Sequence, residues 1–157
     1  MTARTGAATD LVIVACAISA GIHAALVPEH LEEGRAAGMA FAAAAVLLGG
    51  LAVVLTRRPS AIAHAAAGAV FAGLLVAYAL ALATGLPLVH PEREAADGLA
   101  LVTKAVEAIG LLAAIDAVRV PGGRVARPIP LPLTLLIATF SVLVALSVAG
   151  GHMNHGT

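Results

Sequence analysis

The sequence predicts an all-α fold: a polytopic transmembrane helix bundle of five spans, N-terminus inside and C-terminus outside. Three observations carry this prediction. Of 157 residues, 61% are hydrophobic and 11% charged, with a mean hydropathy of +1.00, where a soluble domain carries roughly 25% charged residues. So few charges cannot coat a water-facing surface, which makes the lipid bilayer the solvent and first partner of the chain. The apolar residues also fall in runs of spanning length, and the basic residues fall almost entirely in alternate loops.

A helix needs about 20 apolar residues, within a range of about 17–25, to cross the hydrocarbon core. The first span, 11–27, is expected to close at Pro28, with a short interfacial helix over 29–33. The second, 36–56, stops at "RRPS", and the third, 61–85, ends in "TGLP". The fourth, 98–118, is less pure because it holds Lys104, Glu107 and Asp116. The fifth, 131–149, is entered through "PIPLP" and left through Gly150 and Gly151. These runs are too long for barrel strands and lack two-residue alternation, and their alanine and leucine favour helix. One membrane domain over 1–157 accommodates all of them.

Orientation follows from the positive-inside rule. With a cytoplasmic N-terminus, Arg4, Arg57, Arg58, Arg119, Arg124 and Arg127 lie inside, while only Arg35 and Arg93 lie outside. The expected location is the plasma membrane, as a multi-pass protein. Formal net charge is zero, which argues against a nucleic-acid partner. Cys16 is the single cysteine, so neither an intrachain disulfide nor a thiolate metal cluster is available. "IVAC" (13–16) has the look of a lipoprotein cleavage box, but too few apolar residues precede it, so the N-terminus is read as retained.

This topology gathers polar chemistry on one side. The outer face receives Glu29, His30, Glu32 and Glu33 from the first loop, and His90, Glu92, Glu94 and Asp97 from the second. His152 and His155 follow in the tail, with Met153 between them, and His23 lies about a turn below that surface. His64, near the inner end of the third span, is the exception. In a helix, His30 and Glu33 stand three apart and Glu29 and Glu33 four apart, so each pair shares a face. A histidine and a carboxylate at that spacing can hold one divalent ion; the competing role is a solvated acidic cap. An imidazole or carboxylate within a span is expensive in lipid and defaults to a functional candidate. His23 qualifies, and so does Glu107, near mid-span. Lys104, three residues before Glu107, can neutralise it as an intramembrane ion pair. The candidate metal ligands are therefore His23, His30, Glu33, Glu29, Asp97, Glu107 and His90, for which copper or zinc is the suitable cofactor. Such a site binds its ion better as pH rises and protons leave the ligands.

The stretches "IHAALVPEHLEEG" (22–34) and "TGLPLVHPEREAADGL" (84–99), followed by a helix with an internal glutamate, resemble an uncharacterised family of small polytopic membrane proteins from high-GC bacteria. The resemblance covers residues 22–116 loosely and those two segments specifically. It marks His23, Glu29, His30, Glu33, Glu94, Asp97 and Glu107 as matching the family pattern, and it implies no activity. "LVHPERE" departs from the family's more glycine-rich run, so His90 rests on its chemistry alone.

Three functions compete. The leading one is divalent metal binding or handling at an outward-facing site. The next is a proton-coupled small transporter with His23, Lys104 and Glu107 as its relay, which in so small a bundle implies a homo-oligomer, or an accessory membrane subunit. A membrane metalloenzyme ranks lower, because neither HExxH nor a nucleophile motif is present. Haem is not expected, since His23 and His64 lie at opposite depths.

Overall fold

The computed structural model describes residues 2–86, 98–119 and 137. Four helices account for almost all of them: α1 (Thr2–Glu33), α2 (Arg35–Arg57), α3 (Ala61–Thr84) and α4 (Gly98–Arg119). Each contains a segment long and apolar enough to cross a membrane, which in α1 runs over Gly6–Glu33. The described residues thus form an all-α bundle of four helices that could each cross a membrane, as in a membrane protein. The expected fifth span, over 131–149, lies outside them except for Ile137, which is helical.

α1 differs from its expected form. It does not close at Val27 but continues through Pro28 to Glu33. Proline removes one backbone donor and crowds the carbonyl four residues earlier, here that of Ala24. Spanning helices tolerate this where neighbouring helices and side chains support the backbone, and α2 packs along α1 more extensively than any other pair of helices in contact. The chain then reverses through Gly34 alone. Gly34 donates its N–H to the His30 carbonyl at 3.0 Å, and Gly38 donates to the Gly34 carbonyl at 3.1 Å. At Gly38 the two helices nearly touch, since an added β-carbon would lie 2.9 Å from the Leu31 α-carbon.

α3 begins where Arg57, Arg58 and Pro59 interrupt the apolar run. Ser60 caps it by accepting the Ala63 N–H at 3.2 Å, satisfying one of the orphan donors of a helix start. α4 packs against both α1 and α3, whereas α2 and α3 touch little. Within the bundle the sequence of neighbours is therefore α2, α1, α4, α3.

The core consists mainly of small side chains, with Ile13, Leu48, Leu55 and Phe71 as its large members. Alanine at so many contacts lets the backbones approach closely, which is how helices associate where no hydrophobic force separates them from lipid. Gly110 is the tightest point. A β-carbon there would lie 2.6 Å from Phe71 and 2.8 Å from Ala15, so α1, α3 and α4 converge on its bare backbone. Large apolar side chains such as Val46 and Ile62 point outward, 74% and 83% exposed, as lipid-facing groups do.

Candidate functional site: a buried histidine–glutamate–lysine network

α4 carries Glu107 into the middle of the bundle, where it is fully buried. Gly98 opens the helix nine residues earlier, so at ~1.5 Å per residue Glu107 lies about 13 Å along it. A carboxylate at such depth persists only if paired and hydrogen-bonded. Both of its oxygens are engaged. Lys104 donates from Nζ to Oε2 at 2.7 Å, across one turn of α4. Ser19 of α1 donates its hydroxyl to Oε1 at 2.8 Å. Lys104 also lies over the Tyr78 ring of α3, 5.4 Å from its centroid, in the range of a cation–π contact.

His23 approaches the same carboxylate from α1. It stands four residues after Ser19 and so lies on the same helix face. Its Nδ1 is 2.8 Å from the Ser19 carbonyl and 3.3 Å from the Ser19 hydroxyl. A carbonyl oxygen only accepts, so Nδ1 carries the hydrogen. That fixes the tautomer of the neutral ring and leaves Nε2 as the basic nitrogen. Nε2 faces Glu107, 3.9 Å from Oε1. A proton arriving on Nε2 would meet a carboxylate directly opposite, and the same nitrogen is the one a metal could take.

His30 repeats the backbone device but not the partnership. Its Nδ1 donates to the Leu26 carbonyl at 3.0 Å, and its Nε2 faces Glu33 at 4.0 Å on the more exposed end of α1. Between the two imidazoles stands Phe41 of α2, stacked on His30 at 3.7 Å and tilted against His23 at 5.3 Å. The structure thus brings His23, Lys104 and Glu107 together, while His30 stacks on Phe41 of α2 and Glu33 stays beside His30. Glu29 is exposed on α1, and His90, Glu94 and Asp97 lie outside the described residues. Among the described residues, no three His, Cys, Asp or Glu side chains are placed to share a metal ion.

Ser19, Phe41 and Tyr78 complete this network without having been singled out by sequence. Ser19 carried a usable signal, a lone hydroxyl four residues before an intramembrane histidine. Phe41 and Tyr78 carried little beyond being aromatic in an aromatic-poor chain. His64 forms a separate buried contact near the other end of the bundle. Its Nδ1 donates to the Ser60 carbonyl at 2.7 Å, and its Nε2 is 3.1 Å from the Thr9 hydroxyl. Compared with family models, curated proteins and solved structures, the chain finds no match in any of the three.

Proposed function

We propose that the protein is a small proton-coupled carrier of the plasma membrane in which His23 and Glu107 bind and release the coupling proton. The observation that carries this reading is the basic Nε2 of a tautomer-fixed imidazole facing a buried carboxylate that a lysine already neutralises. At neutral His23, Glu107 is held by Lys104 and Ser19. When Nε2 gains a proton, it becomes a second cation for the same carboxylate, and Lys104 can be released toward Tyr78. The charged or titratable groups facing His23 are Glu107 and Lys104 from α4 and His30 from its own helix; α2 contributes the uncharged Phe41. Acidification therefore favours the His23–Glu107 contact and alkalinisation the Lys104–Glu107 contact. A bundle of this size would serve as a homo-oligomer, with the transported solute passing between copies.

Infrared difference spectra of the protein in lipid vesicles, taken between acidic and alkaline buffer, test this directly. The expected result is an imidazole signal, absent in His23→Ala, whose titration midpoint moves in Glu107→Gln. Identical His23 titration in wild type and Glu107→Gln would remove the coupled pair and with it this function.

The second reading, divalent copper or zinc handling, draws on the convergence of His23 Nε2 and Glu107 Oε1 on a common point. It needs a third ligand from the His90–Asp97 segment, and it must displace Lys104 from the carboxylate. Metal analysis of protein purified without chelators separates the two readings: a stoichiometric ion lost in His23→Ala favours the metal site.

A further inference from the structure

We propose that the groove between α3 and α4 beside Arg119 holds one chain of an anionic phospholipid, its headgroup phosphate against the arginine. This site is independent of the His23–Glu107 pair, which lies deeper in the bundle between α1 and α4. The groove measures about 270 Å³ and opens outward from the bundle. Its walls are apolar: Ala65 and Gly68 of α3 face Leu111, Ile115 and Val118 of α4. His64 adds ring surface but little hydrogen-bonding capacity, since both nitrogens already meet Thr9 and Ser60. Arg119, the last residue of α4, is left as the charged side chain of the groove, and it is exposed.

The chemistry of the occupant follows from this combination. An apolar trough that opens outward between two apolar helices has no use for water, and a free inorganic anion has no use for the trough. A helix, about 10–12 Å across with its side chains, does not fit a volume at the low end of ligand cavities. An acyl chain does. Charge selects the headgroup. The C-terminus of α2, the N-terminus of α3 and the C-terminus of α4 share one end of the bundle, so Arg57 and Arg58 stand at the same level as Arg119. These three arginines are exposed, whereas the acids of that end, Asp10 and Asp116, are half-buried. Basic groups at a helix end attract anionic headgroups near the membrane surface.

Spin-labelled lipids in vesicles containing the full chain provide the test. Wild type should immobilise labelled phosphatidylglycerol several-fold more than labelled phosphatidylcholine, and raised salt should reduce the excess. Arg119→Gln should bring phosphatidylglycerol down to the phosphatidylcholine level. Ala65→Leu, which fills the groove from its exposed rim, should lower immobilisation of both lipids while leaving helix content unchanged. Equal immobilisation of the two lipids by wild type, or an undiminished excess in Arg119→Gln, would overturn the proposal. So would an Ala65→Leu variant that changes cross-linking between copies but not lipid immobilisation, because the groove would then be covered by protein.

Discussion

Ser19 spends one small hydroxyl on two tasks, donating to Glu107 Oε1 and standing 3.3 Å from His23 Nδ1. Through it α1 and α4 are joined by a hydrogen bond to a charged acceptor, which is worth about 1.5–3 kcal/mol. Glu107 itself has more at stake. Glu107→Leu leaves Lys104 without its carboxylate inside the bundle, and removing one member of a buried pair costs about 3–5 kcal/mol. Glu107→Gln keeps one carbonyl oxygen, which can accept from Lys104 while the amide N–H donates to the Ser19 hydroxyl, so it should cost less than Glu107→Leu. Unfolding titrations in mixed detergent would measure both variants, and equal stability of leucine and wild type would show that the ion pair contributes nothing. These charged residues were legible in the sequence because an ionisable group in an apolar run has few ways to survive. Ser19 was only half legible: its spacing from His23 marks it, but a serine in a helix can satisfy itself on its own backbone, so the sequence does not point to Glu107 as its partner. Phe41 is hidden for a related reason: an apolar ring in a spanning helix faces lipid as readily as it faces an imidazole.

At the scale of the elements, the α1–α2 hairpin decides where His30 and Phe41 meet, and two glycines four residues apart in that hairpin behave oppositely. Gly34 has an extended backbone with φ 173°, and a β-carbon there would meet nothing within 4 Å. Gly34→Ala should leave stability within about 0.5 kcal/mol of wild type, as surface changes away from special features do. Gly38→Ala should cost about 1–3 kcal/mol, the usual penalty for overpacking, because its β-carbon would press on the Leu31 backbone. Comparing the two by the same unfolding titration separates a steric close approach from a conformational need for glycine; the reverse order would place the constraint in the turn. The ends of α2, α3 and α4 were readable from Arg57–Arg58, Ser60 and Arg119, since charge and capping mark where apolar runs must stop. The end of α1 was not. Pro28 is a strong local signal against helix, and it was outweighed by packing along α2, a long-range effect that local sequence cannot express. The one-residue reversal at Gly34 follows from the same error, because carrying α1 on to Glu33 consumes the whole expected loop.

The whole molecule is polarised in charge along its axis. Arg57, Arg58 and Arg119 stand at the end where α2 and α4 finish, while Glu29, Glu32 and Glu33 gather at the other end beside Arg35. The hairpin between α1 and α2 ties these ends to opposite sides of the bilayer if both helices span, since a chain that reverses once must bring the N-terminus and Arg57 to the same side. Basic residues near spanning segments are retained in the cytoplasm, whereas acidic ones contribute little to orientation. The arginine-rich end is therefore expected inside, and the Glu29–Glu33 end outside. With that orientation Glu107 and His23 would lie nearer the outer water than His64, and the proposed coupling proton would reach them from outside. Reporter fusions after Ser60 and after Arg124 should score cytoplasmic, and fusions after Glu33 and after Glu94 external. Signals reversed at all four positions would turn the bundle over while keeping its helices. Agreement at Ser60 and Glu33 with an external signal at Arg124 would mean that α4 does not cross in the direction its charges demand. The His23–Glu107 pair joins α1 and α4 running in opposite directions, so that outcome would leave the pair no place in a bilayer that both helices cross.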